Sequence, residues 1–215
     1  TILCLMALIS ESLYRNLIMS SPIAFCMTDA QGKIQMVNSS FIVLYGYTTD
    51  EVVGKTPGVL NPGREAYFEN GVYSGEYDRL FYRMKEFMRN PDNSQWNGKV
   101  LNRAKNGYLV WVRLKINALY DDEGTLAGFL GATEDVSDEI EAELQIRMET
   151  YHAITSLAET RDDETGQHLK RIASYTGIIS RRLGMPSAFI RQIEMFSPLH
   201  DIGKVGIPDD ILRAP

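Results

Sequence analysis

Two alternating runs meet at Asn106-Gly107, and that junction restricts the fold more than any other stretch of the chain. Asn-Gly flanked by such runs is the strongest short hairpin signal. Trp96 to Arg103 leads into it, and Tyr108 to Tyr120 leads out with apolar and polar residues alternating, most clearly from Val112 to Asn117. A second turn at Asp121-Asp122-Glu123-Gly124 delivers the chain to a third strand, Leu126 to Glu134. Upstream, Ile23 to Thr28, the turn Asp29-Ala30-Gln31-Gly32 and Lys33 to Val37 read as another hairpin. Between the two sets, Asn38-Ser39-Ser40 caps a short helix with Phe41, Leu44 and Tyr45. Gly46 to Glu51 ends it and begins another helical turn that closes at Gly54. Thr56 to Gly75 is polar, and Glu76 to about Asn90 is a helix with Tyr77, Leu80, Phe81, Met84 and Phe87/Met88 on one face. The expected fold class is α+β: a five-stranded antiparallel sheet with helices on one face, then a linker helix and an all-α segment.

The first ten residues are nearly all apolar, yet too few to cross a bilayer. No basic region precedes them, so they are not a signal peptide. They read as a helix continued by Leu13, Leu17, Ile18 and Met19, or as the tail of an upstream segment that would be the only membrane tether. A net charge of −6, with 22 basic against 28 acidic residues and no basic run, excludes nucleic acid as an expected partner. Cys4 and Cys26 have neither metal-type spacing nor a disulfide framework, which fits a cytoplasmic location.

Chemistry concentrates near the end. His200-Asp201-Ile202-Gly203-Lys204 places a neutral nitrogen ligand, a carboxylate able to bridge two ions and a cation for a phosphoryl oxygen within five residues. Adjacency alone fits a surface turn as well. A second cluster lies at Glu164-Thr165-Gly166-Gln167-His168, where helical spacing puts Glu164 and His168 on one face. Leu169, Ile172, Ala173, Thr176, Ile179 and Leu183 continue that helix until Gly184 and Pro186 stop it. A second helix with Ile190, Ile193, Met195, Phe196 and Leu199 runs directly into His200, and antiparallel packing of the pair would bring His168 near His200 and Asp201.

Asp135-Val136-Ser137-Asp138 opens a Glu-rich helix whose Ile140, Leu144, Tyr151, Ile154 and Ala158 fit an a/d register with Arg147 the misfit. A short coiled coil and a single amphipathic helix are both consistent with it.

Glu-Thr-Gly-x-His-x-x-Arg followed by Pro-Leu-His-Asp-Ile-Gly-Lys-Val-Gly-Ile-Pro-Asp resembles the amino-terminal part of an HD-GYP domain, a branch of the HD metal-dependent phosphohydrolases. The resemblance implies His168, His200 and Asp201 as metal ligands, Asp201 bridging and catalytic, and Glu164 as an extra ligand. It implies Lys204 as the catalytic and substrate-binding cation, iron or manganese as the metal, and cyclic di-GMP as the substrate. Arg171 is either a phosphate contact or a salt-bridge partner. The later histidines and the Gly-Tyr-Pro signature of such domains are missing from this chain, so the expectation is an incomplete domain without useful turnover by itself.

Asn38, Phe41-x-x-x-Tyr45-Gly46-Tyr47, Trp96-x-Gly98, Asn102-Arg103-x-Lys105-x-Gly107 and the exit Asp135-Val136-Ser137 resemble a PAS sensor domain. The expected organisation is an N-terminal helix over 1–20, PAS domain over 21–137, linker over 138–160 and HD-GYP segment over 161–215. The resemblance implies a homodimer through PAS and linker helix. The PAS ligand stays open. No histidine precedes His152, which argues against haem, and no cysteine follows Gly54, which removes the photochemical thiol of flavin light sensors. Trp96, Asn102, Arg103 and Trp111 are similar to residues of flavin-binding redox members and also to members without a cofactor. The expected function is a PAS-regulated phosphodiesterase. The rivals are a non-catalytic sensor and dimerisation module, and an HD enzyme for another nucleotide.

Overall fold

The computed structural model describes residues 13, 15–72, 74–91, 95–159 and 166–212. The chain divides into two units, Thr1–Tyr67 with Tyr73–Asp138, and Phe68–Val72 with Glu139–Pro215. Among the described residues no helix is long and apolar enough to cross a membrane.

In the first unit, residues 15–20 are helical (α1). Strands β1 (Ala24–Asp29), β2 (Ile34–Val37), β3 (Gln95–Arg103), β4 (Leu109–Tyr120) and β5 (Leu126–Asp135) follow. They form one antiparallel sheet in the order β2-β1-β5-β4-β3. All three hairpins are built the same way. Asp29 N donates to Lys33 O, Ala104 N to Tyr108 O and Asp121 N to Thr125 O, while Gly32, Gly107 and Gly124 each donate back to the residue three before them. Each loop thus has three residues, closed by a glycine in the left-handed region, with φ of 88° at Gly107 and 77° at Gly124. Asp29 Oδ1 and Asp121 Oδ1 accept two backbone N–H groups apiece inside their own turns.

Between β2 and β3 lie α2 (Ser39–Tyr45), α3 (Thr49–Val52), a 3-10 helix (Pro57–Leu60), α4 (Arg64–Glu69) and α5 (Ser74–Arg89). The expectation of a featureless polar stretch from Thr56 to Gly75 is therefore corrected. Leu60, Ala66 and Tyr67 are buried there, and the polar Asn61-Pro62-Gly63 between them hides the pattern. Tyr67 stands edge-on to Tyr77, Phe81 and Trp111, and its hydroxyl accepts the N–H of Leu101 on edge strand β3 at 2.8 Å.

The core joins alternate residues of the sheet, Ala24, Cys26, Val37, Trp96, Val100, Val112, Ile116 and Phe129, to Phe41 and Tyr45 of α2 and Phe87 of α5. Burial pushes the Cys26 thiol up to about 12, so it is a small apolar group and not a nucleophile.

Asn38 is fully buried and caps α2. Its Oδ1 accepts from Phe41 N at 3.0 Å and Phe25 N at 2.9 Å, while its Nδ2 donates to Ile18 O at 3.0 Å and Ile23 O at 2.8 Å. One amide therefore fixes the end of α1, the entry to β1 and the start of α2.

The second unit is helical: α6 (Ser137–Glu159), α7 (Gly166–Arg182), α8 (Ser187–Phe196), a 3-10 helix (Ser197–Gly206) and α9 (Asp209–Leu212). Gly184 at φ 69° closes α7, with Met185 N donating to Ser180 O and Gly184 N to Arg181 O. The continuous helix expected to run into His200 stops at Phe196. Pro198 has no N–H for the carbonyl of Glu194, and the chain tightens into 3-10 turns.

Asn38→Ala is expected to remove the cap and strand several buried backbone groups, costing about 3 kcal/mol; urea denaturation should show the midpoint fall without a change of slope. Lys105 Nζ pairs with Glu51 Oε1 at 2.5 Å and, with the Thr48 N–H, holds the Glu51 carboxyl down to about 2. A depressed carboxylate stabilises above its ordinary pKa and loses that contribution as pH falls through about 2. Lys105→Met should move the Glu51 midpoint up towards the ordinary carboxylate value in an NMR titration.

Candidate functional site

Packing of α7 against α8 brings together the chemistry that the sequence separates by more than thirty positions. His168 sits in the first turn of α7 and His200 in the 3-10 helix after α8, with ring centroids 6.1 Å apart and planes inclined by 51°. Asp201 lies beside them. Its Oδ2 is 3.2 Å from His200 Nε2 and 2.8 Å from Lys204 Nζ, the latter one 3-10 turn further on. The Lys204 hydrogen bond, then the charges of His200, Lys204 and His168, hold the Asp201 carboxyl below the usual carboxylate range. Asp201 is about 40 % exposed, so the group is open to solvent and to a ligand.

His200 Nδ1 lies 3.1 Å from Ser197 O, and a carbonyl oxygen only accepts, so Nδ1 carries the proton. In the neutral ring Nε2 then presents a lone pair to Asp201 Oδ2, and two acceptors face each other. A proton on Nε2 or a cation shared by the two balances that contact. A backbone carbonyl that takes Nδ1–H and turns Nε2 outward is the arrangement that orients a histidine towards a metal. Two imidazoles and a carboxylate able to bridge are a donor set that suits a divalent metal. Among the described residues, however, no three His, Cys, Asp or Glu side chains are closed into one set that could hold an ion. Asp201 is instead turned to the Lys204 ammonium. The donor types fit a metal, and Glu164, the fourth expected ligand, lies outside the described residues. Arg171 is exposed on α7.

Thr176 and Ser197 carry a role that the sequence does not announce. Helical spacing counts Thr176 among the apolar positions of α7, but its Oγ1 lies 3.0 Å from Ser197 Oγ, where the 3-10 helix begins. Gly177, next to it, leaves room for the Glu194 side chain of α8: a Cβ there would stand 1.8 Å from Glu194 Oε1 and 2.7 Å from Glu194 Cγ. Glu194 is drawn back along α7 to Arg181 at 2.9 Å. A glycine in mid-helix is the signal for such an approach.

In the first unit the four residues similar to those of flavin-binding domains do not converge. The pairing of β3 with β4 puts Trp96 and Asn102 on the core face, where Asn102 Nδ2 donates to Tyr45 Oη at 2.7 Å. Arg103 is exposed and reaches Pro62 O at 3.2 Å, and Trp111 packs on Tyr67.

Residues 22–138 match the PAS domain family. A cyclic di-GMP phosphodiesterase of Thermotoga maritima is 30% identical over 185 residues, 85% of this chain and 43% of that protein. A probable cyclic di-GMP phosphodiesterase of Vibrio cholerae is 46% identical over 71 residues, 29% of this chain and 16% of that protein. The chain thus spans less than half the length of these relatives. Among solved structures, an RNA-binding light-oxygen-voltage receptor superposes with a TM-score of 0.53 at 19% identity, covering 66% of this chain and 37% of that one, a likeness of fold.

Lys204→Ala should release the Asp201 carboxyl, whose midpoint rises towards the ordinary value in an NMR titration of the metal-free protein. An unmoved midpoint would mean that the histidines alone set it.

Proposed function

The chain belongs to the PAS domain family through residues 22–138, and from that premise we propose that it is the sensor and first catalytic segment of a PAS-regulated, metal-dependent phosphodiesterase for cyclic di-GMP. The observation that carries the reading is the approach of His168 to His200 and Asp201, across a helix pair, at 6.1 Å between rings. The names of the two relatives support the substrate, a cyclic dinucleotide.

In this proposal His168, His200 through its Nε2, and Asp201 would hold divalent iron or manganese, with Glu164 as a further ligand. When bound, such ions supply an activated water and positive charge at the phosphate. Lys204, now on Asp201 Oδ2, turns to a phosphoryl oxygen and offsets its developing charge. Arg171 is a second contact for the phosphates or an ion-pair partner at the rim. The domain scheme of N-terminal helix, PAS domain, linker and HD-GYP segment over 1–20, 21–137, 138–160 and 161–215 belongs to the same proposal, as do a cytoplasmic location and a homodimer. Leu144 and Ile154 on α6 are 48% and 40% exposed, which supports a partner helix along that face. A PAS ligand would act by favouring one arrangement of the paired helices over another.

The reading of a non-catalytic sensor and dimerisation module draws support from the open donor set. Turnover of cyclic di-GMP by the protein that carries this chain, assayed with ferrous iron and with manganese, separates the two. Activity is expected, and it should vanish in His200→Ala and Asp201→Ala. Metal-free protein without turnover that still forms dimers would favour the sensor module.

A further inference from the structure

Eight positions separate His168 from Thr176 on α7, two turns and about 12 Å along one helix face. Thr176 is half-buried, and its Oγ1 has three neighbours at hydrogen-bond distance: Ile172 O at 2.9 Å, Ala173 O at 3.0 Å and Ser197 Oγ at 3.0 Å. The two carbonyls can only accept. All three contacts are satisfied when the single hydroxyl proton of Thr176 goes back into its own helix and Ser197 donates to the lone pair that remains. Ser197 is the first residue of the 3-10 helix, and its carbonyl is the acceptor for His200 Nδ1 at 3.1 Å. A connection of two hydrogen bonds thus runs from the helix that bears His168 to the ring of His200.

We infer that Thr176 is a positioning residue for His200: through Ser197 it sets the peptide plane that receives Nδ1–H, and so fixes the tautomer and the direction in which Nε2 points. This deepens the metal-centre reading and rests on it for the identity of what Nε2 meets. The geometry requires the hydroxyl at this position and no other property of the side chain. A valine would fill the same volume and keep the apolar spacing of α7, but Ser197 would lose its acceptor and could rotate. Gly177 beside it leaves room for the Glu194 side chain of α8, a contact that does not involve Thr176. Losing the hydroxyl therefore leaves the helix pair in place and frees only the segment that carries His200 and Asp201.

The test compares Thr176→Val, Thr176→Ser and Ser197→Ala with the unaltered chain, in two measurements at one fixed pH. The first, on metal-free protein, reads the His200 ring nitrogens by 15N NMR. Nδ1 is expected to carry its proton throughout in the unaltered chain and in Thr176→Ser, whatever the state of Nε2, and only in part in Thr176→Val and Ser197→Ala. The second is manganese binding by titration calorimetry. Thr176→Val should weaken it roughly ten-fold, as for other residues that orient a metal-bound histidine, and Thr176→Ser should not. Ser197→Ala should weaken it to the same degree, with no further loss in the Thr176→Val, Ser197→Ala pair, since both act on one contact. An unchanged tautomer in Thr176→Val would overturn the inference, and so would equal losses in Thr176→Val and Thr176→Ser. His200→Ala distinguishes the underlying reading: if manganese binds no less tightly without the imidazole, the metal-centre assignment falls, while the tautomer measurement still decides the role of Thr176.

Discussion

A single buried amide holds the first unit to its topology. Asn38 sits where a helix end, a strand entry and a helix start meet, and each would leave backbone groups in the core without a partner. Carbonyls and N–H groups so placed cost about 1 to 3 kcal/mol each when unpaired. Only a side chain with both an acceptor and a two-proton donor can serve them together, and asparagine is the smallest that does. An aspartate would keep the cap and lose the donors. The sheet then follows from alternation, and the helices between β2 and β3 lay Phe41, Tyr45 and Phe87 over its inner face.

The second unit depends on a different constraint, how near two helices can come. Gly177 leaves the space on α7 that the Glu194 side chain of α8 occupies, and the Arg181–Glu194 pair lies along the seam. At the end of that seam a short stretch of 3-10 helix carries three of the four chemically active groups. Its three residues per turn place Asp201 and Lys204 on one edge, so the carboxylate and the ammonium meet. The first unit is built on buried hydrogen bonds, with Thr28 Oγ1 the one buried side-chain polar atom among the described residues that lacks a partner. The chemistry of the second is left exposed and only partly compensated, as a site that must exchange one partner for another requires.

Much of this is legible in the residues. The three hairpins are written in Asp29-Ala30-Gln31-Gly32, Asn106-Gly107 and Asp121-Asp122-Glu123-Gly124, because glycine at a left-handed position is a local requirement that packing cannot relax. The approach of His168 to His200 is legible from two amphipathic runs and the stop at Gly184. The segment from Thr56 to Gly75 is not, since its buried Leu60, Ala66 and Tyr67 follow neither the helical nor the strand period for long enough. The switch from α8 to 3-10 geometry is hidden for a related reason: Pro198 announces a break but not what succeeds it. Thr176 escapes because periodicity counts it as a space-filling residue, and its hydroxyl matters only once Ser197 is in place beside it.

Edge strand β3 pairs along its whole length with β4 and turns its other side outward. At Leu101, near the middle of that open side, the outward N–H is already taken by the phenol of Tyr67. A polypeptide seeking to add itself as a sixth strand would find one rung of the ladder occupied and an aromatic cluster standing in its path. Growth of the sheet from one copy to the next is thereby blocked at this margin. The tyrosine acts as a stopper against strand addition at this edge.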